Sequence, residues 1–181
     1  MASAEHFLYQ LDEGVGIVTF NRPERLNPIG WDMARNLCNL FMKLREDSAV
    51  RVIVLTGAGG NFSSGGDAEF LSGNADRPLP GLSSGPVERY QRKDPAGAFA
   101  DFTRWIIEVD KPVIAALSGV CMGAGLSYAL ACDRRFGDPT VRMSAAMVRL
   151  GFSPDCGLTW LLPRVTRLPV ALNMATTGRI V

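Results

Sequence analysis

The chain has 181 residues, 47% of them hydrophobic and 20% charged, with 19 Lys and Arg against 18 Asp and Glu and a formal net charge of +1. That length and apolar share suit one domain spanning residues 1–181 with a sizeable core, and the near-neutral balance, without a basic run or a basic helical face, argues against a nucleic-acid partner. Met1 to Leu11 lacks the pattern of a signal peptide and no apolar stretch nears the length of a membrane span, so no membrane partner and a cytoplasmic location are expected.

Phe7 to Leu11 and Val15 to Phe20 flank Asp12-Glu13-Gly14 and predict a hairpin whose Asp-x-Gly turn fixes the register. Trp31 to Arg45 carries Met33, Leu37, Leu40, Phe41 and Leu44 at the helical period, which predicts a helix covering a sheet. Val52 to Leu55 then reads as a fully buried strand, followed by a glycine-rich turn and by Asp67, which is expected to open a helix. The segment 72–97 has four prolines, several glycines and serines and little hydrophobic period, so an irregular, ligand-ordered loop is expected there before a helix over Phe99 to Val109. Val113 to Leu117 is a short apolar strand entered by Pro112, and Leu126 to Cys132 is small and apolar enough for a buried helix. A further helix is suggested by Leu158 to Leu162.

Two of these segments share one design. Arg51 to Leu71 and Lys111 to Asp133 each run from an apolar strand through a glycine-bearing turn toward a helix. Glycines there permit tight backbone and close approach, while the unpaired amides and dipole of a helix start favour an oxygen carrying negative charge. Small residues that only let helix and strand pack closely would leave the same pattern.

With Asn21-Arg22-Pro23, Phe62-Ser63-Ser64-Gly65-Gly66-Asp67, Lys111-Pro112, Gly123-Ala124-Gly125, Cys132-Asp133 and Leu150-Gly151, in that order and spacing, the chain resembles the crotonase (enoyl-CoA hydratase/isomerase) superfamily. The resemblance implies an α/β, ClpP-like spiral core of repeated β-β-α units with two roughly perpendicular sheets, although no internal sequence repeat shows it. It also implies that the backbone N–H groups of Gly66 and Ala124 hold the carbonyl oxygen of an acyl-CoA thioester as it becomes an enolate. An enolate needs stabilisation where charge develops, and fixed amides supply it without reorganising. Coenzyme A would enter as part of the substrate, with no separate cofactor and no metal.

The carboxylates separate the possible chemistries. Hydratases that resemble the chain carry glutamates at positions corresponding to Ser127 and Met147, and neither residue can act as an acid or base near neutral pH. Asp155, in Leu150-Gly151-Phe152-Ser153-Pro154-Asp155-Cys156-Gly157, matches the position where Δ3,Δ2-enoyl-CoA isomerases and ring-opening isomerases of aromatic-acid degradation keep their acid/base carboxylate. Phe152, Leu158 and Trp160 are apolar neighbours in sequence, and an apolar setting would raise its basicity. The same Ser-Pro-Asp-Cys-Gly stretch is good turn chemistry, in which the aspartate caps the following helix. A 4-chlorobenzoyl-CoA dehalogenase-like enzyme would also place a carboxylate there, but its histidine base has no counterpart, His6 being the lone histidine. An acyl-CoA binder or inactive subunit with the same fold is the other alternative.

By the same resemblance Arg25, Leu26, Ser64, Asp67 and Ser127 are candidate substrate-binding residues, and the loop 72–97 is expected to border the acyl pocket. From the residues alone, Ser127 would hydrogen-bond the preceding helical turn, and Asp67 and Asp133 would cap or fix turns. The family implies a homotrimer or dimer of trimers, completed by a C-terminal helical region that would be short or missing here, since the chain stops at Thr177-Gly178-Arg179-Ile180-Val181. Cys38, Cys121, Cys132 and Cys156 show no metal-ligand spacing and read as reduced, mostly buried thiols.

Overall fold

The computed structural model describes residues 6–67 and 95–181. Strands β1 (Phe7–Asp12) and β2 (Val15–Phe20) form the expected hairpin, paired from Phe7↔Phe20 to Asp12↔Val15. Its turn residues Glu13 and Gly14 have φ of +45° and +86°, and two positive φ values are what a two-residue hairpin turn needs to match the strand twist. Helix α1 (Trp31–Glu46) follows, burying Met33, Ala34, Leu37, Cys38, Phe41 and Leu44 along one face, as its periodicity predicts.

The remaining strands are β3 (Val52–Gly57), β4 (Val113–Leu117), β5 (Val120–Met122), β6 (Arg134–Gly137) and β7 (Arg142–Ser144). They are joined by helices α2 (Pro95–Glu108) and α3 (Ala124–Ala131), and helices α4 (Leu158–Val165) and α5 (Leu168–Thr177) close the chain. One sheet has the order β1-β2-β3-β4-β6, parallel from β2 onward, and the second pairs β5 with β7 in parallel. Strand, strand and helix recur as β1-β2-α1 and β4-β5-α3, while β6-β7 leads into a 3-10 turn at Ala146–Leu150. After β3, Ser63 makes an isolated parallel bridge to Cys121 of β5, so that segment too reaches the second sheet.

An aromatic chain ties the helices to one another. Phe41 of α1 meets Phe102 of α2 edge-on at 5.0 Å, and Phe102 meets Tyr128 of α3 at 4.8 Å. All three rings are fully buried, and each such edge contact adds about 0.5–1.5 kcal/mol beyond burial.

Several boundaries differ from the sequence reading. Helix α2 begins at Pro95 and not at Phe99, because a proline in a first turn gives up an N–H that has no helical partner anyway; the end of the expected loop 72–97 is therefore helical. The rest of that loop and the helix expected after Asp67 lie outside the described residues. Helix α3 begins at Ala124, two residues before the apolar run that suggested it, and α4 continues past Leu162 through Pro163 to Val165. The four cysteines are buried and free. Among the described residues no helix is long and apolar enough to cross a membrane.

Candidate active site

The two glycine-bearing turns meet. The first, after β3, is fastened by Ser63: its N–H donates to the Val120 carbonyl at 2.8 Å, and its own carbonyl accepts the Met122 N–H at 2.9 Å. The Ser63 hydroxyl donates to the Asn27 carbonyl at 2.8 Å and accepts the Gly65 N–H at 3.0 Å. Asn27 holds the turn from the other side. It is fully buried at a left-handed φ of +55°, and its side-chain nitrogen donates to the carbonyls of Ala58 and Asn61 at 2.8 and 2.6 Å. Left-handed backbone is tolerated by asparagine better than by most residues.

These ties press Gly65 against the second turn. A Cβ on Gly65 would stand 2.8 Å from the Met122 carbonyl oxygen and 3.2 Å from the Ala124 nitrogen, so neither turn has room for a side chain there. Gly66 bridges Ile29 in parallel, with Ile29 donating to the Gly65 carbonyl and Asp67 donating to the Ile29 carbonyl. Ala124 is the first residue of α3, where an amide has no helical partner. Among the described residues neither the Gly66 nor the Ala124 N–H has a hydrogen-bond partner. Two adjacent turns thus present two unspent donors, which is what an oxyanion requires.

Asp155 approaches from the turn before α4. Its carbonyl accepts the Leu158 N–H at 2.8 Å and lies 3.5 Å from the Ser127 hydroxyl, one turn into α3. The same hydroxyl also donates back to the Gly123 carbonyl at 3.4 Å, the bond to the preceding turn that its sequence context suggests. Cys156 is buried with φ +49°, an uncommon conformation for a residue with a side chain, and Gly157 follows at +79°. Backbone of that kind costs about 1–3 kcal/mol and persists where surroundings enforce it.

Two readings of Asp155 are corrected. It does not cap α4 through its side chain: the N-cap is Gly157, with no side-chain cap bond. Its setting is not apolar either, because Asp155 is exposed, Phe152 and Trp160 are 45% and 55% exposed, and only Leu158 of the three neighbours is buried. The left-handed turn is the reason, since it points the Cys156 side chain inward and leaves Asp155 outside. The Cys156 thiol is pushed up by burial first, then by the charge of Asp155 and a hydrogen bond to it. Burial likewise raises the Tyr128 hydroxyl well above its usual range, with Cys156, Cys38 and Asp155 adding to it. In β5, burial pushes Cys121 up to about 12, so it is no nucleophile near neutral pH.

The remaining candidates gather at the first turn. Asp67 is buried, and its carboxylate is held by Arg22 at 2.6 Å and Arg25 at 3.4 Å. Both of its carboxylate oxygens are thereby engaged by guanidiniums. Leu26 is exposed at a left-handed φ of +63°, and its carbonyl accepts the Ser64 N–H at 2.8 Å. Ser127 and Met147 are both buried, Met147 in the Ala146–Leu150 turn. Asp133 fixes a turn, its carboxylate accepting the Val113 N–H at 2.7 Å. A cavity of about 340 Å³ lies elsewhere, at the ends of β3, β4 and β6 against Thr56, Leu117, Phe136 and Asp138. Among the described residues no cluster of His, Cys, Asp and Glu could hold a metal ion.

Sequence reasoning missed Asn27 and also Thr103, a buried α2 residue whose hydroxyl donates to the Cys156 carbonyl at 2.9 Å. Asn27 carried one usable signal, an asparagine beside Pro28 in a polar turn. Thr103 carried none, since its partner lies 53 residues away.

Strand-strand-helix units around two sheets, with two partnerless amides where the glycine turns meet, define a protein of the crotonase class. The family model described as enoyl-CoA hydratase/isomerase matches residues 10–181, and the chain belongs to that family. It is 35% identical over 174 residues to the 1,2-epoxyphenylacetyl-CoA isomerase of Escherichia coli (strain K12), over 96% of this chain and 63% of that relative. A crystal structure from Streptomyces coelicolor A3(2) superposes with a TM-score of 0.84 at 35% identity, over 100% of this chain and 63% of the other. An enoyl-CoA hydratase from Polaromonas sp. JS666 superposes with a TM-score of 0.83 at 26% identity, over 97% of this chain and 64% of that one. The chain therefore spans less than two thirds of the length of these relatives.

Proposed function

We propose that this chain carries the site of an acyl-CoA isomerase that moves a double bond by proton transfer. Asp155 takes a proton from C2 of a 3-enoyl thioester, and the electron pair moves onto the carbonyl oxygen. The Gly66 and Ala124 N–H groups hold that oxygen, each contributing roughly 3 kcal/mol to the developing charge. The same carboxyl then returns the proton at C4, giving the 2-enoyl thioester. Coenzyme A enters and leaves with the substrate, and no cofactor takes part. Arg25, Leu26 and Ser64 line the turn that leads to Gly66 and are the proposed contacts to the CoA moiety, with Asp67 orienting Arg25.

The observation that supports this reading is the pair of partnerless amides, Gly66 and Ala124, where the two glycine turns meet. The name of the Escherichia coli relative, an isomerase, supports it. Water addition is disfavoured because the buried positions that would hold its acid and base are Ser127 and Met147. The exposure of Asp155 favours a second reading, an acyl-CoA binder of the same fold with no turnover.

Incubating the protein separately with 3-hexenoyl-CoA and crotonyl-CoA tests the choice by chromatography of the CoA esters. Conversion of the first to 2-hexenoyl-CoA, with crotonyl-CoA left unhydrated, supports the isomerase. Hydration of crotonyl-CoA sinks it in favour of a hydratase, and binding of both esters without conversion leaves the binder.

A further inference from the structure

Thr103 stands outside the residues that the reaction uses, yet it is tied to their backbone. Its side chain is buried in α2, and its hydroxyl reaches the Cys156 carbonyl at 2.9 Å, closer than the Phe99 carbonyl of its own helix at 3.4 Å. Having one proton to give, the hydroxyl gives it preferentially to Cys156. Its methyl group abuts the next residue: a Cβ on Gly157 would stand 3.1 Å from Thr103 Cγ2. One side chain thus touches both consecutive left-handed residues of the turn, Cys156 at φ +49° and Gly157 at +79°. Those two residues turn the chain so that Cys156 points in and Asp155 points out.

We propose that Thr103 is a positioning residue for Asp155, holding by its hydroxyl the left-handed Cys156–Gly157 backbone that fixes the direction in which the Asp155 carboxylate projects. Thr103 thereby couples α2 to the acid/base turn. The inference rests on Asp155 as the acid/base group.

The test compares Thr103→Val, which keeps shape and removes the hydroxyl, with Thr103→Ser, which keeps the hydroxyl, in the full chain. On 3-hexenoyl-CoA, Thr103→Val lowers kcat at least tenfold with KM within about threefold, and Thr103→Ser restores most of it. Wild-type kcat in a folded Thr103→Val protein overturns the proposal. Amide exchange at Leu158, whose N–H bonds to the Asp155 carbonyl, reads the turn without turnover. It quickens in Thr103→Val and not in Thr103→Ser; equal protection in both overturns the proposal. An Asp155→Asn protein with wild-type turnover, beside a loosened turn in Thr103→Val, would instead overturn the acid/base reading alone.

Discussion

Replacing Gly65 by alanine separates the geometry of the two turns from their stability. The new Cβ would meet the Met122 carbonyl oxygen at 2.8 Å and the Ala124 nitrogen at 3.2 Å, where ordinary contact begins near 3.4 Å. The turns must part by roughly half an ångström to admit it, and close-packed interiors resist that. Gly65 also has φ +93°, which costs a residue with a Cβ about 1–3 kcal/mol. In a chain of this size that lowers Tm by roughly 4–8 °C at a cost near 2 kcal/mol. Parting the turns separates Gly66 from Ala124, and loss of one oxyanion donor costs about 10²–10³ in kcat. Gly60→Ala is the control, since Gly60 has φ +73° with nothing within 4 Å of its would-be Cβ. Isomerisation of 3-hexenoyl-CoA and thermal melts are measured for both variants. Gly65→Ala loses Tm and turnover, and Gly60→Ala loses Tm alone. Equal turnover in the two variants would refute the claim that the Gly65 contact sets the oxyanion geometry.

Asn27→Ala leaves the Ala58 and Asn61 carbonyls without their buried donor and places alanine at a left-handed φ; at about 1–3 kcal/mol for each stranded group, a Tm loss under 3 °C in a thermal melt would contradict the role given to it. The thiols should resist alkylation at pH 8, since burial raises Cys38 to about 11 and Cys121 to about 12. Labelling by iodoacetamide at the rate of free cysteine would oppose this, and full labelling in denaturant is the control. Raised thiol values also set the sign of a pH effect: this contribution to stability is complete below about 9, where the unfolded thiols ionise, and is lost as pH rises toward 11 and 12. Denaturant melts across that window should show stability falling.

What the sequence made legible was local. The hairpin at Asp12-Glu13-Gly14, the face of α1, the β4-to-α3 segment and the two glycine turns all follow from patterns within about 20 residues. Gly66 and Ala124 were singled out by the family resemblance, at two turns that local sequence marks through their glycines. The partners of side chains were not: Asp67 finds Arg22 across 45 residues, and Thr103 finds Cys156 across 53. Periodicity carries no record of such pairings. The environment of Asp155 failed for a related reason, because apolar neighbours in sequence are not neighbours in space, and a left-handed residue after it reverses which side chain is buried.

The most direct measurement is deuterium uptake at C2 and C4 of 3-hexenoyl-CoA in heavy water, by mass spectrometry, with the wild-type chain and Asp155→Asn. The account predicts exchange at both carbons and conversion to the 2-enoyl ester with the wild type, and neither with Asp155→Asn while the ester still binds. Exchange of equal rate in the two proteins would contradict it.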